Sequence, residues 1–266
     1  MKKIALITLI VIFHFQMFSQ ATRWKRMRYE LIGAVGVSNF FGDLGGGGDT
    51  KSKLGRFVGD VDLQSTRPSF MCGMRYKLSP DFNLKFSLTY GFLQGADKNS
   101  STEARQLRNL SFYTHIFEQA LVGEYNIIKE SNSRRWSQRR KRKVRSYSIN
   151  LYVFGGVGGF YFDPRATYNG KTYRLRTLGT EGQTVSGSGV KKYIPYSLCV
   201  PGGLGVKIGL NKYWDFGIEY GYRWTATDYI DDTHGNYYDH AAIIEANGGA
   251  KSEQGNAAGW FADKHL

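Results

Sequence analysis

The chemically most suggestive residues of this chain form an acidic stretch near its carboxyl end, Thr227–His234. Asp228, Asp231 and Asp232 lie close to His234, and a carboxylate beside an imidazole can activate water. Carboxylate oxygens can also bind a cation. No serine and no second His/Asp group elsewhere obviously completes a catalytic set, which an enzyme requires. We therefore interpret the stretch as a loop of Asp-containing turns and keep an enzyme site as the alternative.

A glycine-rich stretch at residues 154–160, FGGVGGF, superficially resembles a phosphate-binding loop. It lacks the Lys-Ser/Thr pair of such loops, and no helix is predicted to follow it. Glycine inside a strand more often marks a bend or a close approach in a tightly curved barrel. The two cysteines, Cys72 and Cys199, have no metal-ligand spacing, and strand periodicity places them on opposite faces. We expect no cofactor, no metal and no disulfide.

The positive charge of the chain is concentrated in a few segments. The formal net charge is +14. One long basic run supplies most of it, and the remainder comes from Lys2 and Lys3 and from a second basic cluster of Arg23, Lys25, Arg26 and Arg28. Since these segments account for the whole excess, the remaining sequence is balanced in charge. The long run contains no acidic residue and holds Arg134, Arg135, Arg139, Arg140, Lys141, Arg142, Lys143 and Arg145.

Four interpretations of this basic run are open. It could bind nucleic acid, which an exported protein rarely meets. It could bind anionic lipid headgroups, at about 1 kcal/mol per cation, or be a solvated turn with no specific partner. It could also dock an acidic protein, with attraction that weakens in salt. We favour protein docking and expect no nucleic-acid partner.

The amino terminus predicts export. Lys2 and Lys3 precede an apolar stretch from Ile4 to Phe15, and Ser19–Gln20 opens polar sequence, as in a secretory signal peptide. The apolar stretch is shorter than the roughly 20 residues that a spanning helix needs, although an uncleaved anchor is the alternative. No comparable apolar run follows. We therefore predict a signal peptide at residues 1–19 and one domain at residues 20–266.

Strict alternation of apolar and polar residues predicts long β-strands. In Asn83–Leu93 the apolar side chains Leu84, Phe86 and Leu88 alternate with Lys85 and other polar or small residues. A period of two sorts them onto two faces, whereas a helix would scatter them. The same pattern appears in Pro68–Leu78, Tyr196–Ile208 and Trp214–Thr225, and more weakly in Arg28–Phe41, Asn109–Asn126 and Ser148–Phe162.

The two faces differ as in a small membrane barrel. The apolar face is long and carries aromatic residues at strand ends, which suits contact with lipid. The other face is rich in Gly, Ser and Thr and carries charged side chains of both signs. These would form ion pairs inside a lumen that is filled by side chains. A soluble lipocalin-like barrel is the alternative. The predicted lumen charge network comprises Lys77, Lys85, Glu118, Glu124, Lys207, Glu219 and Arg223.

The connections alternate between short and long, as in outer-membrane barrels. Residues 79–82 and 210–212 are predicted as tight periplasmic turns, whereas residues 127–147, which hold the basic run, form an unusually long periplasmic segment. We predict an all-β fold: a small antiparallel outer-membrane β-barrel of about eight strands. Seven strands are convincing, and only Gly259–Phe261 suggests a last strand, which is therefore short or missing.

Several segments together resemble a known family over about Glu30 to Tyr238. In order and spacing they are similar to PorG-type outer-membrane barrels of the type IX secretion system. The more specific elements are Leu-Gly-Thr-Glu-Gly at 178–182 and Asp228, Tyr229, Ile230, Asp231 and Asp232. The other segments are SNFFGDL at 38–44, RNLSF at 108–112, FYFDP at 160–164 and Asn169-Gly170.

The resemblance implies a barrel in the cell outer membrane that associates with a periplasmic ring of PorK-like lipoprotein and PorN-like subunits. That machine exports proteins and, in gliding bacteria, carries adhesins. The resemblance implies no catalytic residues and no small-molecule substrate. We therefore expect a non-catalytic subunit that anchors the ring at the outer membrane. An outer-membrane enzyme and a general adhesin or small-solute barrel are the alternatives.

Overall fold

The main part of the molecule is one antiparallel sheet. The computed structural model describes residues 28–41, 65–99, 109–128, 148–210, 213–233 and 238–262. Seven long strands pair in a meander, each with the next along this path, and the prediction of an all-β fold is confirmed. The path is β1 (Tyr29–Ser38), β2 (Arg67–Lys77), β3 (Phe82–Ala96), β4 (Ser111–Ile128), β5 (Ser148–Phe162), β8 (Tyr196–Gly209) and β9 (Asp215–Thr225).

The sheet curls into a half-barrel, and its register keeps the charged and the apolar residues on separate faces. Arg75 of β2 lies opposite both Glu30 of β1 and Lys85 of β3, so charged residues share the inner face. Leu84 lies opposite Tyr76 and Gly123 on the outer face. A shift of one residue would exchange the faces, which fixes the register. The seven predicted strands agree with the observed ones to within about three residues at each end.

One end of the sheet, which we call the turn end, carries the β2–β3 connection. Ser79 forms this turn: its backbone N–H donates to the carbonyl of Phe82, and its hydroxyl accepts from the backbone N–H groups of Asp81 and Phe82. This confirms the predicted tight turn. The backbone N–H of Leu210 donates to the carbonyl of Trp214 at the same end, between β8 and β9.

At the opposite end, which we call the cap end, the connection from β5 to β8 is not a simple loop. It contains a hairpin of β6 (Arg165–Tyr168) and β7 (Lys171–Arg174), then a short helix α1 (Leu175–Leu178). Asn169 and Gly170 both have positive φ, 47° and 78°, as the two central residues of a type I′ turn require. The strands predicted at Ser148–Phe162 and Tyr196–Ile208 leave this region as a single long connection.

The carboxyl-terminal part is helical, so the suggestion of a strand at Gly259–Phe261 is wrong. These residues lie in α3 (Glu253–Ala262), which packs against α2 (His240–Ala246). A Cβ on Gly259 would lie 2.7 Å from Cγ1 of Ile244, so glycine permits the close helix contact. Within the described residues no strand therefore follows β9.

Buried apolar side chains are concentrated at the cap end. We call the cap the assembly of β6, β7, the three helices and residues 229–233. Its core includes Phe112, Phe160, Phe162, Leu175, Leu178, Tyr193, Ile230, Ile243, Ala257, Ala258 and Phe261. Away from the cap, most of the large apolar side chains of the sheet lie on the outer face and are exposed. In the part of the chain described here, no helix is long and apolar enough to cross a membrane.

Two smaller predictions have clear outcomes. Cys72 is exposed and Cys199 is buried, as their predicted positions on opposite faces indicate, and both are free thiols. Strand β4 continues through Ile127 to Ile128, with a register shift between Asn126 and Ile128. The segment predicted to begin at residue 127 therefore begins later than expected. The signal peptide at residues 1–19 lies outside the described residues.

Candidate functional site

The inner face of the sheet carries a charge network centred on Arg75. Its Nε lies 2.6 Å from Oε2 of Glu124, and its Nη1 lies 2.9 Å from Oε2 of Glu30. Its Nη2 reaches Oε1 of Glu219 at 3.4 Å. The Arg75 side chain is almost fully buried, and a buried guanidinium is tolerated only when its donors are satisfied by carboxylates.

Lys85 forms the second link of this network. Its Nζ lies 2.8 Å from both carboxylate oxygens of Glu219 and 3.3 Å from Oε1 of Glu124. The hydroxyl of Tyr152 donates to the same Glu219 at 2.7 Å. Tyr152 can lie flat over the sheet because Gly205 is opposite it, where a Cβ would meet the ring carbon at 2.4 Å.

Two further groups of ion pairs surround this centre. Near the turn end, Glu30 accepts from Lys77 at 2.6 Å and from Lys207 at 3.0 Å, and Lys207 also lies 3.5 Å from Asp215. Nearer the cap end, Nε of Arg223 lies 3.2 Å from Oε2 of Glu118. The buried thiol of Cys199 lies 3.8 Å from the same carboxylate.

All seven residues of the predicted lumen charge network lie in these ion pairs. Glu30, Arg75 and Asp215 are partners that were not among the predicted members, although Arg75 and Asp215 lie in the alternating segments Pro68–Leu78 and Trp214–Thr225. Tyr152 is a further partner, and no sequence signal indicates it. The full set contains five cations and five carboxylates, so it is neutral: Glu30, Arg75, Lys77, Lys85, Glu118, Glu124, Lys207, Asp215, Glu219 and Arg223.

The curled sheet partly surrounds an open cavity of about 2060 Å³. The charge network lines it near the turn end, and apolar side chains such as Leu93, Ile116 and Phe160 line it near the cap end, with Ile230 above them. Small inner residues, including Ala34 of β1, leave much of the space unfilled. The cavity is therefore bounded by the sheet, by the cap and by the gap between β1 and β9.

The acidic stretch forms part of the cap. Tyr229–Asp231 is a single 3-10 turn, and Asp232 ends it in the left-handed conformation with φ 65°. The hydroxyl of Thr180 donates to Oδ2 of Asp232 at 2.6 Å, and the hydroxyl of Tyr193 donates to Oδ1. Burial raises the pKa of Asp232 to about 7, although both hydroxyl donors oppose the rise.

These contacts join the two most specific motifs of the sequence. Thr180 belongs to Leu-Gly-Thr-Glu-Gly and Asp232 to Asp-Tyr-Ile-Asp-Asp, so the motifs pair as partners in one buried hydrogen-bonded cluster. The ring of Tyr193 also stacks on Tyr229 at 4.6 Å between centroids. Burial, followed by the charge of Asp232, raises the pKa of the Tyr193 hydroxyl, so this hydroxyl stays a donor.

The remaining members of the acidic stretch have local roles. Oδ1 of Asp231 accepts from the backbone N–H of Thr233 at 3.3 Å, which is an Asp-containing turn. Asp228 precedes the 3-10 turn, and His234 lies outside the described residues. Within the described ranges no group of three or more His, Cys, Asp or Glu side chains could hold a metal ion.

The basic run, Arg134–Arg145, lies outside the described residues. Its point of attachment is described, because β4 ends and β5 begins at the turn end of the sheet. The run is therefore tethered at the end of the sheet opposite to the cap.

Fold and inner face together define a class: a curled antiparallel sheet with an apolar exterior and a charge-paired interior, capped at one end. Residues 4–247 match the family described as Domain of unknown function (DUF6089), and the chain belongs to this family. No curated protein and no solved structure matches the chain.

Proposed function

We propose that this chain is a non-catalytic outer-membrane barrel subunit of a type IX secretion machine, where it anchors the periplasmic ring. The observation that carries the membrane placement is the apolar outer face of the sheet. Leu31 is 89% exposed and Leu198 is 70% exposed, although both lie within strands. Their outward neighbours are also large and exposed, including Val35, Phe70, Phe86, Phe117, Leu121, Val157, Leu204 and Ile218.

Such a face is costly in water and favourable in lipid. Soluble monomers rarely expose contiguous apolar patches larger than a few hundred Å². A membrane barrel needs this arrangement, with apolar residues outside and polar residues paired inside. The neutral ion-pair network supports the same placement because it leaves no net charge to be solvated within the paired set.

The distance between the outer aromatic residues at the two ends of a strand also supports the membrane placement. Trp214 and Trp224 bound β9 at the turn end and the cap end, and both are more than half exposed. Ten residues of strand span about 33 Å, and a tilt of about 40° reduces this to about 25 Å along the barrel axis. That height equals the apolar band of an outer-membrane barrel. Tyr29 with Tyr76 at the turn end and Tyr161 with Tyr196 at the cap end supply further interface residues.

The assignment to a secretion machine rests on the motif resemblance. The contact between Thr180 and Asp232 supports it, because residues of the two most specific motifs bind each other in the fold. The attachment of the basic run at the turn end supports docking to a periplasmic ring. In this orientation the turn end faces the periplasm and the cap lies outside the cell.

The docking role can be tested by replacing all eight basic residues of the run with Ser or Gln. We expect the ring subunits to leave the outer-membrane fraction, because the attraction between the barrel and the ring is electrostatic. A matched variant replaces only the six arginines of the run with Lys, which keeps the charge; it should retain the ring. Unchanged co-purification of the ring with the uncharged variant would remove the docking role.

A further inference from the structure

The segment that leads into β8 at the cap end presents both cationic and apolar side chains at the surface. Lys191 and Lys192 are exposed, and so are Ile194 at 70% and Tyr196 at 67%. Between them Tyr193 is buried in the core of the cap, where its ring stacks on two aromatic neighbours. The segment is therefore fixed to the cap by one side chain, while the side chains on either side of it are exposed.

Arg176 of α1 brings a third cation to this segment. Its Nε donates to the backbone carbonyl of Tyr193 at 2.9 Å, so its guanidinium lies beside the residue that follows Lys192. We call Arg176, Lys191 and Lys192 the rim patch. Among the described residues, no carboxylate forms an ion pair with any of the three. The rim patch thus holds positive charge that this part of the fold leaves unneutralised.

The other arginines of the connection between β5 and β8 do have an acidic partner. Nη2 of Arg165 and Nε of Arg174 lie 2.8 Å and 3.3 Å from the same oxygen of Asp163. Residues 163–196 carry six basic and only two acidic side chains, so their charges cannot all be paired within this connection. The rim patch is therefore the part of the connection where an external anion meets available positive charge.

The height of the rim patch matches the headgroup layer of a bilayer. Tyr196 and Tyr161 form the outer aromatic pair at the cap end, with ring centroids 5.1 Å apart. Lys192 is four residues from Tyr196, so their Cα atoms lie within about 14 Å of each other. The headgroup layer is about 5–8 Å thick on each side of the hydrocarbon core, and a lysine side chain can extend its ammonium into it. In the proposed membrane placement the rim patch therefore lies among headgroups, and Leu198, which is 70% exposed, lies beside acyl chains.

We propose that the rim patch binds the phosphate group of an anionic lipid, whose acyl chains lie along Ile194 and Leu198. This inference rests on the membrane placement proposed above and adds the class of lipid that the sheet contacts at the cap end. Lysine binds phosphate as a point charge, and arginine binds it through paired N–H donors. An acidic protein would also match the charge. The exposed apolar residues of the segment continue those of β8, so a molecule with both a phosphate and acyl chains fits the whole surface better.

Native mass spectrometry of the full chain, purified in detergent, measures which lipids it retains and tests this proposal. The probes are phosphatidic acid and phosphatidylcholine with identical acyl chains, so that only the headgroup differs. The test variant carries Lys191→Gln and Lys192→Gln; both side chains are exposed, so neither change disturbs a described contact. The control variant carries Lys171→Gln and Lys251→Gln, which removes the same charge from two other exposed positions, at the start of β7 and between α2 and α3.

The parent chain should bind phosphatidic acid more tightly than phosphatidylcholine. The test variant should lower the apparent affinity for phosphatidic acid by about 25-fold, because each cation near an anionic lipid contributes about 1 kcal/mol, or about fivefold. Its affinity for phosphatidylcholine should stay nearly unchanged, and so should both affinities of the control variant.

Three results would overturn the proposal. The first is no preference for phosphatidic acid in the parent chain, as a patch that takes only a protein would give. The second is an equal effect of the test and control variants. The third is displacement of the lipid by inorganic phosphate at the lipid's own concentration, which would show a site for a soluble anion. A chain that stays in solution without detergent and inserts into no phosphatidylcholine vesicle contradicts the proposed membrane placement instead, so the two failures are distinguishable.

Discussion

At the scale of single residues, glycine decides where the inner aromatic side chains lie. Tyr152 covers Gly205, and Phe154 covers Gly203, where a Cβ would approach its Cζ to 2.7 Å. The Phe154 ring in turn carries the ammonium of Lys85, 4.8 Å from its centre. Because these glycines have no side chain, the rings of Tyr152 and Phe154 can lie over them, and the Phe154 ring in turn contacts the ammonium group of Lys85.

Gly205→Ala should therefore be destabilising. Its new Cβ would displace Tyr152 and lengthen the 2.7 Å hydrogen bond from its hydroxyl to Glu219. Overpacking of this kind costs about 1–3 kcal/mol. Guanidinium unfolding of the purified chain in detergent should show an earlier midpoint. Gly155→Ala is the matched control, since a Cβ there meets nothing within 4 Å; equal midpoints for the two variants would contradict the argument.

Asp232 predicts a pH dependence that is confined to the cap. Its pKa is about 7 in the fold against an ordinary 3.8, so the folded chain holds the proton more tightly than the unfolded chain. The stabilisation is thus complete below about pH 4 and is lost as pH rises through 7. Hydrogen exchange of residues 175–193, corrected for the intrinsic rate, should show more opening at pH 8 than at pH 5.5.

Two variants check that this dependence belongs to Asp232. Asp232→Asn should make cap protection nearly independent of pH between 5.5 and 8, because an amide does not titrate in this range. Asp228→Asn, in the same stretch, should keep the dependence. If both variants behave alike, another group is responsible.

Partner choice among the charged residues could be predicted only in part. Alternation places Arg75, Lys85 and Glu219 on one face, because the period of two is local. It cannot show that Glu30 meets Lys207, since the residues are 177 positions apart and meet only when the sheet curls. Tyr152 gives no signal, because its position depends on a glycine in another strand.

At the scale of elements, long strands were predictable and the cap helices were not. The strands have a strong apolar alternation, whereas the buried residues of α3 include Gly255, Ala257, Ala258 and Gly259 instead of an aliphatic stripe. Glycine has low helix propensity, so the local sequence of α3 disfavours a helix. Tertiary packing overrides this preference, because small residues let α2 and α3 approach closely.

Gly255→Ala should destabilise the cap, although replacing glycine by alanine within a helix usually stabilises it. In an open helix the change stabilises by about 1 kcal/mol. Here a Cβ would lie 2.4 Å from the carbonyl oxygen of Gly249, so we expect destabilisation of the cap by about 1–3 kcal/mol. Asn256→Ala, at the exposed next residue, is the control and should be neutral or stabilising. Limited proteolysis of the cap provides the measurement, and equal cleavage rates would contradict the packing argument.

At the scale of the whole molecule, the cap and the sheet differ in where their apolar side chains lie. The cap has a buried apolar core like that of a soluble domain, with Ile243 and Phe162 fully buried, whereas the sheet has its apolar residues outside. No single solvent suits both parts. The membrane placement proposed above, with water on the cap and lipid on the sheet, would suit both parts, and it makes a prediction that compares one kind of substitution at two places.

Leu121→Arg places a cation on the outer face of β4, at a position that is 48% exposed near the middle of the strand. In lipid this substitution should cost about 2–4 kcal/mol, because arginine is destabilising at the depth of the bilayer midplane. Ala246→Arg, at an exposed position of α2, should change stability little, since the proposed placement leaves the cap in water. Unfolding titrations in lipid vesicles compare the two variants with the parent chain. If Leu121→Arg is as well tolerated as Ala246→Arg, the outer face is in water, and the membrane placement and the anchoring role both fail.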